Sequence, residues 1–150
     1  NRPEVDATFI DLPPAAGLAR LLGARIPGLA TLDLDLQPLR AQLIRSATLA
    51  RQLGPHVAAA DVVHLYTHNV GLLSVSSWRE TPTVVSLDTT NAQNAFRIPS
   101  RRPTRFTPAT VAATKPFERR VYRAAATIVA NSAWAASSLR NDYGVDQQRL

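Results

Sequence analysis

The sequence contains no cysteine, which removes disulfides, thiolate metal sites and cysteine nucleophiles and says nothing decisive about compartment. Only three histidines are present, His56, His64 and His68. No H-x-x-x-H pair falls on a predicted helix, so a zinc site is not expected. No apolar run of about eighteen residues occurs, so no stretch reads as a membrane span, and no secretory hydrophobic region opens the sequence. No G-x-G-x-x-G follows a strand-like stretch and no G-x-x-x-x-G-K-S/T occurs, which disfavours a dinucleotide enzyme and a P-loop ATPase. The G-x-S-x-G elbow of many hydrolases is missing too.

What is present is a chain of 150 residues with 45% apolar content. That suits one globular domain with a single core. The chain opens at Asn1 rather than Met and stops at Leu150 on the approach to another strand, so it reads as a fragment. The formal charge of +6 is unevenly placed. Between Arg97 and Arg123, seven Arg and one Lys face one acid, Glu118, for a net +7. The other residues carry nine bases and ten acids, a net −1.

Alternating strand and helix signals run along the chain. Residues 4–12 (EVDATFIDL) read as a strand ended by Pro13-Pro14, and residues 15–22 as a short helix closed by Gly23. Residues 29–36 alternate apolar and acidic side chains but precede Pro38, and read mostly as loop. Leu39, Leu43, Ile44, Leu49 and Leu53 form a helical stripe over 37–53. Residues 61–68 form a strand candidate with the near-continuous apolar content of a covered parallel strand, and 70–78 the helix after it. Residues 82–88 are a further strand. Residues 89–107 read as a long loop with a short helix at 91–96. Thr107-Pro108 has the form of an N-cap and first turn for a helix to about 125, with Val111, Phe117, Val121 and Ala125 inward and a kink or restart expected at Pro116. Strand 127–131 passes through Asn131-Ser132 into helix 133–143, which stops at Gly144 before apolar Val145. The alternation predicts an α/β fold, a Rossmann-like parallel sheet with helices on both faces.

Three strand ends carry polar residues: Thr67-His68-Asn69, Asp88-Thr89-Thr90-Asn91 and Asn131-Ser132. In a parallel sheet all three fall along one edge, where open α/β folds bind ligands. Free N–H groups of the helices that follow would favour an anion such as phosphate. Asn, Asp, Ser and Thr are also ordinary caps and turn formers, and for Ser132 capping is the commoner explanation. A carboxylate at a strand end before a long loop is a good place for a ligand-orienting or catalytic acid, so Asp88 is the best catalytic candidate. His68, just past its strand, can reach the crevice and titrate near neutral pH, whereas His64 lies within the strand. The basic segment is most commonly a solvated face. Its other readings are an anionic ligand or membrane surface, with nucleic acid ranked last because no recognition motif accompanies it.

The order of these pieces has a family look. Phe117-Glu118-Arg119-Arg120-Val121-Tyr122, followed by Ala126 and TIVANSAWAASSLRNDYGV, resembles the N-terminal, acceptor-side half of glycosyltransferases of the family 4 group, which have the GT-B fold. Ala60-Asp61-Val62-Val63-His64-Leu65-Tyr66 resembles that family's "pDVVHxH" strand, and 82–88 its "P-x-V-x-x-x-H-D" strand. The likeness covers roughly residues 50–150. Tyr66 stands where the family often has a second histidine, Asp88 where it often has an acceptor-site histidine, and Ala125-Ala126 replaces the usual Ala-Asp.

The resemblance implies a retaining hexosyltransferase-like enzyme that moves a sugar from a nucleotide-sugar donor to a glycan or lipid-linked acceptor. These residues would form part of the acceptor side and be inactive alone. The donor-binding C-terminal domain would be a separate partner in the cleft, with no metal or other cofactor held here. His68, Asn69, Asp88, Thr89, Thr90, Asn91 and Ser132 would line the acceptor pocket. Arg97, Arg101, Arg102 and Arg105 would meet an anionic acceptor or an anionic membrane. The expected location is cytoplasmic, peripheral at the inner membrane face. A non-catalytic flavodoxin-like binding module that docks through its basic surface is the alternative.

Overall fold

The computed structural model describes residues 5–98 and 102–150. Three strands, β1 (Val63–Tyr66), β2 (Thr83–Leu87) and β3 (Thr127–Ala130), pair in parallel in the order β1-β2-β3. Parallel neighbours need a crossover between them. Helix α3 (Val75–Trp78) lies between β1 and β2, and α4 (Asn91–Phe96) and α5 (Thr107–Ala124) lie between β2 and β3. Helices α1 (Gly17–Gly23) and α2 (Gln37–Val57) precede the sheet, and α6 (Ala133–Tyr143) follows it. This is the expected α/β, Rossmann-like parallel sheet, with the difference that among the described residues the helices cover one face rather than both.

Register divides the sheet into two unlike faces. Leu65 aligns with Val85 and Val85 with Ile128, and this row is the centre of the core, at 4%, 0% and 0% exposure. Trp78, Leu72, Val121 and Leu139 complete the same buried cluster. Side chains alternate along a strand, so His64, Tyr66, Thr127 and Val129 point the other way, and all four are exposed. Two successive crossovers of the usual right hand fall on one face of a sheet. Among the described residues the helices accordingly gather over the Leu65–Val85–Ile128 face.

The helices are built by local signals. Helix α2 buries Leu39, Ser46, Leu49, Leu53 and Val57, one stripe continued a turn past the predicted end. Ser46 Oγ is satisfied there by the Leu73 N–H at 2.7 Å. Ser132 caps α6 by accepting the Ala135 N–H at 3.1 Å. At the far end Gly144 takes φ +70°, and the Gly144 and Val145 N–H groups each reach back at 3.0 Å to Arg140 O and Leu139 O. That is the left-handed stop read from the sequence.

Four expectations are corrected. Residues 5–12 form no strand, and Val5 and Phe9 are 86% and 89% exposed. β-branched content alone makes no strand where no neighbour takes up the backbone groups. The region 70–78 is a 3-10 turn (His68–Val70) and then the four-residue α3. Helix α5 runs through Pro116 without a restart. Ala112 and Pro116 are both exposed, so the carbonyl that loses its helical partner faces water. Thr107 is inside the helix rather than its cap. Its hydroxyl donates to the Asp33 carboxylate and accepts the Thr104 N–H at 2.8 Å, which ties the start of α5 to the loop before α2.

Candidate functional site

Because the sheet is parallel, the ends of β1, β2 and β3 meet along one edge. There Asp88 is exposed between two donors. The Tyr66 hydroxyl donates to Asp88 Oδ2 at 2.5 Å and the Asn131 amide donates to Oδ1 at 2.6 Å. One residue from each strand end is thus joined in a single exposed row. These bonds, Tyr66 first and Asn131 second, hold the Asp88 carboxyl below the usual carboxylate range. The same contact raises the Tyr66 phenol. A carboxylate held ionised is a weak proton acceptor but a good hydrogen-bond acceptor for a hydroxyl. On the same face His64 Nε2 lies 2.7 Å from Ser86 Oγ.

The remaining predicted residues divide between surface and interior. Thr89 and Asn69 are half-buried beside this edge. Thr90 is fully buried and forms a capping box with Gln93: its hydroxyl accepts the Gln93 N–H at 3.2 Å, and Gln93 Oε1 accepts the Thr90 N–H at 3.2 Å. Asn91 exchanges two amide hydrogen bonds of 3.0 Å with Gln42. Ser132, exposed, is occupied as the α6 cap. Arg97 lies 3.4 Å from Asp142, Arg102 is exposed, and Arg105 stacks over the Phe106 ring at 4.6 Å. Arg101 lies outside the described residues.

His68 does not reach the crevice. It is fully buried, with Nε2 3.0 Å from Glu118 Oε1, close enough for an ion pair but not aligned as a hydrogen bond. Glu118 is fully buried as well. Its Oε2 accepts the Tyr143 hydroxyl at 2.8 Å and its Oε1 accepts the Asn91 N–H at 3.3 Å. Tyr143 OH also accepts the Ala92 N–H at 3.3 Å. Tyr122 packs on both His68 and Tyr143, with ring centroids 5.4 and 5.2 Å apart. Burial, and next the Glu118 charge, push both tyrosines above their ordinary value, so Tyr143 stays protonated as a donor.

This cluster overturns one part of the phosphate reading. The first three N–H groups of α4, those of Asn91, Ala92 and Gln93, go to Glu118, Tyr143 and Thr90. None is left for an anion at that strand end.

Sequence reasoning missed Tyr66 and Asn131 as partners of Asp88, and it missed Glu118 and Tyr143. Glu118 could have been found: it is the sole acid of the basic segment and falls on the Val111–Thr114–Val121 stripe of α5. A shallow cleft of about 320 Å³ between α1 and α2, lined by Ala19, Arg20, Gly23, Ala41, Ile44 and Arg45 among others, includes no residue of the strand-end row.

The family model for the glycosyl transferase 4-like domain matches residues 3–150. The chain belongs to the glycosyltransferase 4-like domain family. Comparison with curated proteins and with solved structures gave no match. No helix among the described residues is long and apolar enough to cross a membrane.

Proposed function

We propose that these residues form the acceptor side of a retaining, GT-B-type glycosyltransferase that moves a hexose-like sugar from a nucleotide-sugar donor. The observation that carries the reading is the exposed Tyr66–Asp88–Asn131 row at the common strand edge. Asp88 accepts a hydrogen bond from the acceptor hydroxyl and orients it. It is not the base that deprotonates it, because its two donors favour the ionised, weakly basic form. Asn69 and Thr89, half-buried beside it, complete the polar lining. Arg97, Arg101, Arg102 and Arg105 follow this edge in sequence and supply positive charge for an anionic, lipid-linked acceptor or the membrane that displays it. The donor binds to a second domain across the cleft, and these residues alone do not turn over.

The test is a donor screen on the full-length protein, followed by Asp88→Asn. Sugar transfer from one nucleotide sugar is expected. The variant should lose about 100-fold in kcat/KM for the acceptor, the size of a misplaced reactant, with donor KM unchanged. Absence of transfer from every nucleotide sugar would refute the enzyme reading and favour a binding module. Unchanged acceptor kinetics in the variant would remove Asp88 from the site.

A further inference from the structure

Glu118 is buried in an unusual setting. It is the one acid among eight basic residues between Arg97 and Arg123, yet among the described residues no arginine pairs with it. Its three polar neighbours come from the segments that follow the three strands. His68 sits directly after β1, at 3.0 Å. Asn91, whose N–H reaches Oε1 at 3.3 Å, opens the helix after β2. Tyr143, whose hydroxyl reaches Oε2 at 2.8 Å, closes the helix after β3. Each segment also carries part of the exposed edge. Tyr66 and Asn69 flank His68, Asp88 and Thr89 precede Asn91, and Asn131 leads into the helix that ends at Tyr143. The same carboxylate, with Tyr143 and Thr90, takes up the first N–H groups of α4.

Burying a carboxylate is costly, and well-packed apolar side chains often serve stability as well or better. What a buried, multiply bonded carboxylate does supply is a fixed relation among the groups that donate to it. We infer that Glu118 is the positioning residue of the acceptor edge. It ties the segments after β2 and β3 by hydrogen bonds, and the segment after β1 by the 3.0 Å approach of His68, to one point beneath the surface, so that Asp88, Asn69 and Thr89 keep their spacing. This inference rests on the glycosyltransferase reading for its consequence in catalysis, though not for the tie itself.

Glu118→Gln keeps the side-chain size but accepts through one oxygen only, so either Asn91 or Tyr143 loses its acceptor. In the full-length protein this variant should raise the acceptor KM at least 10-fold and leave donor KM and donor dissociation within two-fold of wild type. A purely structural role would move both substrates together or neither. Hydrogen exchange supplies a readout that needs no activity. Amides of 68–71 and 89–96 should exchange at least 10-fold faster in the variant, with 83–87 and 127–130 unchanged.

An acceptor KM within two-fold of wild type in folded Glu118→Gln, or an even rise in exchange across the sheet, overturns the inference. If Glu118→Gln does not fold, Tyr143→Phe removes a single donor and leaves the carboxylate in place. It should shift acceptor KM and exchange at 89–96 in the same direction by about three-fold, and no shift there overturns the inference as well. If the wild-type protein transfers no sugar, the transferase reading falls, and the exchange measurement alone then decides whether Glu118 holds the segments together.

Discussion

Replacing Ser138 by alanine removes one oxygen atom from the buried junction of α4 and α6. Ser138 and Thr90 are both fully buried, with their hydroxyl oxygens 2.7 Å apart. The proton order follows from Asp142, whose Oδ2 lies 2.6 Å from Ser138 Oγ and 3.4 Å from Arg97 Nη1. A carboxylate only accepts, so Ser138 donates to Asp142 and Thr90 donates to Ser138. Thr90 Oγ1 in turn accepts the Gln93 N–H at the first turn of α4. Alanine breaks both bonds of Ser138 and leaves the buried Thr90 hydroxyl only the Tyr143 hydroxyl as a side-chain acceptor. A bond to a carboxylate contributes about 1.5–3 kcal/mol and one between hydroxyls about 1 kcal/mol. Asp142 is 22% exposed and recovers part of its loss from water, so the expected total is about 2–3 kcal/mol. For a chain of this length that lowers Tm by about 4–12 °C. Urea unfolding followed by circular dichroism should show a lower midpoint with an unchanged slope. Ser137→Ala is the control: Ser137 Oγ accepts only an exposed Asn141 bond of 3.1 Å, and its loss should stay within about 0.5 kcal/mol. If Ser138→Ala is no worse than Ser137→Ala, the buried relay does not exist and the reasoning fails.

Two further outcomes follow from single groups. Gly144→Ala tests backbone conformation alone, because a Cβ at this residue meets no atom within 4 Å while φ is +70°; the expected loss is about 1 kcal/mol, and a wild-type melting curve would contradict the left-handed stop. Asp88, held below the usual carboxylate range by Tyr66 and then Asn131, stabilises the fold above its unfolded-state value, and this contribution is lost as pH falls through its lower folded-state value. A carbon-detected NMR titration should therefore find the Asp88 midpoint raised in Tyr66→Phe relative to wild type, and equal midpoints would show that the Tyr66 bond does not form in solution.

Residues with one-dimensional signals were legible in the sequence. The strands Val63–Tyr66, Thr83–Leu87 and Thr127–Ala130 each lie within a predicted run, because β-branched stretches bounded by polar turns have few alternatives. Ser132 and Gly144 were read correctly because caps are local chemistry. What failed depended on neighbours distant in sequence. Residues 5–12 have the composition of a strand but no partner, and Thr107 turns its hydroxyl to Asp33, 74 residues away, instead of capping its own helix. His68 has the sequence context of a crevice residue, yet its side chain is buried beside Glu118, 50 residues on, and against Tyr122. Pro116 is interior to α5, and its cost there depends on whether the freed carbonyl meets water, which the local sequence does not specify.

The exposed row is a consequence of register, not of three polar residues that happen to be near. Tyr66 aligns with Ser86 and Ser86 with Val129, while Leu87 aligns with Ala130. Continuing those ladders one step sets Asp88 beside Asn131, and alternation puts Ser86 and Asp88 on the same face as Tyr66. That face is the one the helices of the described residues leave open, so the three side chains meet in solvent. A slip of one residue in either pairing would turn a member of the row toward the core and bring an apolar neighbour to the surface. The buried row Leu65, Val85 and Ile128 resists such a slip, because it would carry one of these side chains out of the core at about 1.5–3 kcal/mol. Apolar packing on the covered face therefore fixes the polar geometry on the open one. A substitution at Ile128, which faces the core from the strand that leads to Asn131, should loosen the Asp88–Asn131 contact and raise the Asp88 titration midpoint.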